Sequence, residues 1–554
     1  MAMQKLTGRQ AFIKLLLDEG VTHMFGNPGT TELAIMEAVP QFPELKYVLG
    51  LQESIVVGMA DGFARASNKL VACNLHCAPG LGHAMGAIYS AKFSGSPIII
   101  TAGQYEVGYG LQEPLLYEPL VPMVAPLVKW AFEVTRLEDL PRIVRRAAKI
   151  ARTPPMGPVF ISLPGSVLDE ETEIEFGFPT VVDAAVRPGD ASLKALAKRL
   201  LAAKNPVIVA GREVANAGIF NEACELAELL GAAVYQESVG YNARYPTSHP
   251  TCMGDLSRNQ KKVRSILEQY DFLLCLGADL LRMSPMSTVE PLPPEMPVMH
   301  ITEREWELGK NYSTETAVRA DVKETLLALL PLLRAERSAE YAKAASARVK
   351  ALSANNWSAK RDAAHAEFSA AAAANPIDQR YLVSQLVDVL PKDAIVVDET
   401  LTASPAIAAT LPMDNPKAYY GLASGGLGFG MAGAVGVSLA QPGRPIVATI
   451  GDGSAMYTVQ GLWSMARENL DVTVVIFANR SYKILRGELA NMGGPEAGEN
   501  AKRMLDLDRP YIDWVSIARG HGVPGQQVSN MEDFANALRI ANKEKGPRLI
   551  ELVM

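Results

Sequence analysis

Apolar positions in this chain fall into two alternating patterns: short continuous runs, and longer stretches in which they return every three or four residues. The first suits strands covered on both faces, the second amphipathic helices packed on them. Three blocks of this alternation can be read. The first carries "LVACNLH", "SPIIITAG" and "GPVFISLP" and fades at "EIEFGFPTVVDAAVRPGD", where proline, glycine and charge interrupt it. The second begins with a helix over 191–203, continues through "PVIVAG", "YDFLLCLG" and "MPVMHIT", and ends near Leu333. An alanine- and charge-rich stretch over 334–375 favours helix and suits a connector. The third block opens at "NPIDQRYLVSQL" and holds "AIVVDE", "PIVATI", "VTVVIFAN" and "RLIELVM". Strands regularly separated by helices imply right-handed crossovers, so the expected fold class is α/β, three doubly wound domains with mainly parallel sheets. The expected domains are 1–180, 185–335 and 375–554, with a helical linker over 336–374. The opening "MAMQKLTGRQAFIKLLLDEG" reads as an amphipathic helix.

With 53 Lys and Arg against 60 Asp and Glu, the net charge of -7 gives no support for nucleic acid or an anionic membrane as partner. The start lacks the layout of a cleaved leader, and no apolar run reaches the roughly 18 residues of a membrane span, so a cytoplasmic protein is expected. The five cysteines (Cys73, Cys77, Cys224, Cys252, Cys275) are scattered without a CxxC, which indicates neither a disulfide frame nor a zinc site. A metal pair of His76 and Cys77 is conceivable, but a buried or pocket-lining cysteine is the preferred reading.

Candidate chemistry starts at "PIVATIGDGSAMY", a buried-type strand that ends in an acid between two glycines. Met456, Val459, Leu462, Trp463 and Ala466 follow at helical spacing, so Asp452 is predicted at the carboxyl end of a strand and the start of a helix. Open α/β sheets collect their ligands at such ends. The next strand, "VTVVIFANRSY", ends in Asn479, with Ser481 just beyond. A carboxylate, an amide carbonyl and a backbone carbonyl, completed by water and two phosphate oxygens, would suit magnesium. Gly451 and Gly453 would let the backbone approach that diphosphate, and the predicted helix would turn its N–H groups toward it. A rival signal is the GxGxxG formed by Gly428, Gly430 and Gly433, a dinucleotide fingerprint, but it follows "YYGLASGG", a poor buried strand.

The segment from "GDGSAMY" to "FANRSY" resembles the cofactor motif of the thiamine diphosphate-dependent decarboxylase and acetohydroxyacid synthase family. The family motif often closes on two asparagines; here Ala478 takes the first place, and Asn479 takes the second, which is the ligand. "FGNPGTTEL", "LQESIVVGMADGFA", "NLHCAPGLGHAMGA", "TAGQ" and "PLVKW" resemble most the benzoylformate decarboxylases within that family. The resemblance covers nearly the whole chain, in the order pyrimidine-binding, middle and diphosphate-binding domain.

That resemblance implies thiamine diphosphate and Mg2+ as cofactors, with FAD possible in the middle domain but not expected. It makes Glu53, in greasy company between Leu51 and Ile55, the acid that activates the cofactor at pyrimidine N1'. It makes Leu427 the apolar wedge under the cofactor, the Gly425 carbonyl the partner of its 4'-amino group, and Thr402 and Ser454 further cofactor contacts. Thr30 would meet a substrate carboxylate and His76 would relay protons. Three departures concern the substrate. Ser284 stands where the benzoylformate decarboxylases carry a second histidine, His83 stands where they carry asparagine, and the stretch with Lys483 and Arg486 differs strongly. Both cations read more readily as a solvated face than as a pocket mouth.

The implied activity is non-oxidative decarboxylation of a small 2-oxo acid, with carboligation open to it. Alternatives are an acetolactate synthase-like carboligase, a 2-hydroxyacyl-CoA lyase, a non-catalytic cofactor or metabolite sensor, and a nicotinamide-dependent oxidoreductase. The resemblance also implies a homodimer or homotetramer, with each cofactor site between the pyrimidine-binding domain of one subunit and the diphosphate-binding domain of another.

Overall fold

The computed structural model describes residues 3–284, 286–370, 378–491 and 498–554. It contains three parallel sheets, each built from buried β-rich runs of the kind seen in the sequence. The expected junction at 374/375 lies outside the described residues. By compactness the chain divides into two units: residues 1–182 with 391–402 and 422–554, and residues 183–390 with 403–421.

The first unit holds two of the sheets. The N-terminal sheet runs, in spatial order, Lys46–Leu49, His23–Gly26, Val71–Leu75, Ile98–Gln104, Val159–Pro164 and Ala131–Glu133, all parallel. The chain reverses direction across the sheet between His23–Gly26 and Val71–Leu75, which opens a crevice at their carboxyl ends. The C-terminal sheet carries Ile395–Glu399, Ile446–Gly451, Val472–Ala478, Arg548–Val553 and Gly525–Val528, again parallel.

Helices Glu53–Ser67 and Phe429–Ala440 join these two sheets through a glycine seam. A Cβ on Gly62 would lie 2.3 Å from the Gly433 carbonyl oxygen, and one on Gly436 would lie 1.9 Å from that of Met59. Only glycine lets the two backbones approach so closely.

Two expectations are corrected here. The chain does not begin as a helix: Gln4–Thr7 is a strand paired antiparallel with Glu171–Ile174, and the helix is Gly8–Asp18. Thr7 caps that helix, its hydroxyl accepting from the Gln10 N–H while the Gln10 side chain accepts from the Thr7 N–H, so the strand must end there. Nor does a continuous helix follow Asp452. The helix Asp452–Ala455 stops after one turn and a second, Gly461–Arg467, begins after a break. The break frees Thr458 to donate its hydroxyl to the Gly428 carbonyl at 2.8 Å, a tertiary bond that competes with continued helix.

The second unit has its own six-stranded parallel sheet, ordered Cys252–Asp255, Ala233–Gln236, Pro206–Ala210, Phe272–Leu276, Val298–Thr302 and Thr316–Arg319. Helices Ala339–Ser353 and Trp357–Ala370 occupy the alanine-rich stretch.

Candidate active site

Each candidate in the first third follows a strand of the N-terminal sheet at its carboxyl edge. Thr30 opens the short turn Thr30–Glu32 after His23–Gly26 and is exposed; Glu53 begins the helix after Lys46–Leu49; His76 follows Val71–Leu75 and caps the helix Cys77–Ser94. His76 is held by a residue that sequence reasoning did not single out. Glu32 is fully buried, and its Oε2 lies 2.8 Å from His76 Nδ1. The Gly29 N–H donates to the same oxygen at 2.9 Å, while the Gly103 N–H and the Thr31 hydroxyl donate to Oε1, each at 2.8 Å. A Cβ on Gly29 would come within 2.3 Å of the imidazole, so this position must be glycine for the ring to sit there.

Glu53 is 7% exposed, but its surroundings are more polar than its sequence neighbours suggest. Leu51 points outward, and the carboxylate is met by Asn27 Nδ2 at 3.1 Å on Oε1 and by His83 Nδ1 at 3.1 Å on Oε2. Cys77 is buried beside the Glu32–His76 pair, its Sγ 3.2 Å from the Thr31 hydroxyl, and burial pushes its thiol up to about 11.

The second group gathers on the C-terminal sheet. Asp452 follows Ile446–Gly451, is 3% exposed, and accepts the Gly453 N–H at 2.9 Å and the Arg480 N–H at 2.6 Å. Burial raises its pKa above the ordinary value, against the pull of those donors. Asn479 follows Val472–Ala478, and its Oδ1 accepts the Ser481 N–H at 3.0 Å and hydroxyl at 3.2 Å. Gly451 and Ser454 are buried, while Gly453 is half-buried with the Tyr482 ring where a side chain would go. Thr402 bonds back to the Thr400 carbonyl at 2.7 Å beside the end of Ile395–Glu399. Gly425 has φ +81° and is exposed, and Leu427 is half-buried. Their loop is tied to the first group's helix, since Ser90 Oγ lies 2.8 Å from Ser424 Oγ.

Another unsuspected acid organises this loop. Glu399 is 1% exposed and accepts the N–H groups of Gly428 and Gly430, at 2.7 and 2.5 Å. Burial pushes its pKa up to about 7. Two glycine N–H groups of the GxGxxG are therefore spent on a protein carboxylate, which removes them from any dinucleotide phosphate.

The model for the thiamine pyrophosphate enzyme N-terminal TPP binding domain matches residues 6–115, that for the central domain 193–329, and that for the C-terminal TPP binding domain 402–552. Benzoylformate decarboxylase of Pseudomonas aeruginosa is 33% identical over 99% of this chain and 98% of its own. The chain belongs to the thiamine pyrophosphate enzyme family. Among solved structures, a thiamine diphosphate-dependent 4-hydroxybenzoylformate decarboxylase from Rhodococcus jostii RHA1 superposes with a TM-score of 0.86. It is 30% identical, with 99% of this chain and 98% of that one covered. The acetolactate synthase isozyme 1 large subunit of Escherichia coli is 25% identical over 99% of this chain and 94% of its own.

Three departures in this thiamine pyrophosphate enzyme now have a structural setting. His83 contacts Glu53, Ser284 lies in exposed chain of the second unit, and Arg486 pairs with Asp506 while Lys483 is exposed. In the second unit, charged side chains pair with one another at the strand carboxyl ends. Arg304 Nε donates to Glu213 at 2.7 Å and its guanidinium pairs with Asp279, while Glu237 accepts the Asp279 and Arg212 N–H groups at 2.9 and 3.0 Å. Glu32 stands in the quoted "FGNPGTTEL" with no role assigned to it there, and "VVDET" carries no motif that separates Glu399 from a surface acid.

Proposed function

We propose that the chain is a thiamine diphosphate- and magnesium-dependent carbon–carbon lyase that decarboxylates a small 2-oxo acid without oxidation, in the manner of a benzoylformate decarboxylase. The observation that carries this reading is His76 fixed through Nδ1 by buried Glu32, on the same sheet edge as Glu53.

The donor set fits the cofactor. Asp452 is a buried carboxylate whose pKa burial has raised, so a cation beside it would relieve the desolvation. Asp452, Asn479 and the Ser481 carbonyl would hold Mg2+, a hard ion that takes oxygen ligands. Gly451, Gly453, Ser454 and Thr402 would meet the diphosphate, Gly425 and Leu427 the pyrimidine face, and Glu53 its N1'. When bound, thiamine diphosphate supplies the electron sink that accepts the charge left as carbon dioxide departs.

The protein supplies position and protons. Thr30 would donate its hydroxyl to the substrate carboxylate. With Nδ1 held by Glu32, His76 presents Nε2 as the nitrogen that takes and returns a proton at the reacting carbonyl. Glu53 would hold a proton against the pyrimidine nitrogen. FAD has no role in this reading. Leu111 and Leu115, 89% and 82% exposed, follow the strand Ile98–Gln104 and would be covered by a second copy in a homodimer or homotetramer.

A carboligase is the second reading. It is favoured by the acetolactate synthase likeness and by Ser284, which cannot relay a proton at neutral pH as imidazole does. Supplying 2-oxo acids with and without an acceptor aldehyde, and identifying the products, separates the two. Free aldehyde alongside carbon dioxide supports the lyase, and carbon dioxide with only a coupled product supports the carboligase. Thermal stabilisation by NAD but not by thiamine diphosphate with Mg2+ would sink both.

A further inference from the structure

We propose that His83 is a positioning residue that caps the carboxylate of Glu53 and must swing away for a nitrogen heteroaromatic ring to take its place; this rests on the cofactor reading above. The two oxygens of Glu53 are not equivalent. Oε1 faces Asn27 Nδ2 at 3.1 Å, and a Cβ added at Gly80 would come within 3.1 Å of it, so helix backbone closes that side. Oε2 faces His83 Nδ1, also at 3.1 Å.

Glu53 is 7% exposed, whereas the His83 side chain is 62% exposed, so the contact on Oε2 is the wet and movable one. The backbone beneath His83 is fixed, because the Ser54 hydroxyl donates to the His83 carbonyl at 2.5 Å. Only the imidazole can turn, about its own side-chain bonds, into solvent.

A ring nitrogen against Oε2 is the same contact that an aminopyrimidine nitrogen would make. The imidazole thus satisfies a nearly buried carboxylate and competes with the ligand for that oxygen. Displacing one such hydrogen bond weakens apparent binding by about three- to tenfold. Asparagine at this position would have a shorter side chain with no ring to occupy the place.

The test is calorimetric titration of thiamine diphosphate, with saturating Mg2+, into the full-length protein and its His83→Ala and His83→Asn variants, alone and combined with Glu53→Gln. The expected result is a Kd lowered about three- to tenfold by either His83 substitution, and by less than twofold when Glu53 is already glutamine. Loss of a merely structural contact would weaken binding, so tightening is the diagnostic sign. An unchanged or raised Kd in both variants, at wild-type thermal midpoint, overturns the cap. A wild-type protein that takes up no thiamine diphosphate overturns the cofactor reading itself, and the cap falls with it.

Discussion

Glu32 Oε2 lies 2.8 Å from His76 Nδ1, and that carboxylate is also the acceptor for two backbone N–H groups and a hydroxyl from its own turn and from the strand end at Gly103. One acid therefore fixes the imidazole and closes the loop beneath it.

Replacing Glu32 should damage both stability and turnover. Glu32→Ala leaves buried donors without an acceptor, at about 1–3 kcal/mol for each uncompensated group. It also frees the ring, and carbon dioxide release should fall by about a hundredfold or more. Urea unfolding and steady-state assays read the two effects separately.

Glu53→Gln should separate binding from activation. The amide preserves shape, so thiamine diphosphate should still bind within a few fold of wild type, while turnover falls by at least about a hundredfold. Calorimetry and product formation check this; a fully active variant would remove the activating role.

Asp452→Ala should abolish dependence on Mg2+ together with cofactor retention. Dialysis of wild-type protein against a chelator should release the cofactor, with recovery on adding Mg2+, whereas the variant should show at least tenfold weaker binding whatever the Mg2+ concentration. Cofactor content after gel filtration measures both.

Glu399 gives a pH signature of defined sign. Its folded pKa of about 7 stands above the ordinary value of 4.5. The folded state therefore binds a proton that the unfolded state has lost between these values, and its contribution to stability is present below about pH 4.5 and disappears as pH rises through about 7. Melting curves from pH 4.5 to 8 should show wild type losing stability relative to Glu399→Gln by an amount on the order of 1–3 kcal/mol.

Gly436→Ala should be costly although it adds one methyl. The new Cβ would strike the Met59 carbonyl oxygen, and overpacking of this kind costs about 1–3 kcal/mol or more. A lowered thermal midpoint with reduced soluble yield is expected; an unchanged midpoint would show that the seam can open.

Buried strands such as Ile446–Gly451 and Val472–Ala478 could be read from sequence because runs covered on both faces are almost wholly apolar. Gln4–Thr7 and Glu171–Ile174 could not, since their pattern is polar and pairing alone makes them strands. The helix expected after Asp452 is interrupted although Met456 and Val459 keep helical spacing, because Thr458 turns aside to Gly428. Within the site, Asp452, Glu53 and Glu32 all stand in quoted motifs, but only for the first two does the local pattern suggest a role. Glu32, Glu399 and the touch of His83 on Glu53 depend on strand ends far apart in sequence, and only folding brings them together.

The glycine seam also bears on how the protein is made. Gly62 leaves the ribosome long before Gly433 and Gly436 exist, so the nascent first third waits with a backbone-lined slot that nothing can yet fill. Expressed by itself, that third should stay bound to chaperones, and co-expression of residues 391–554 should release it.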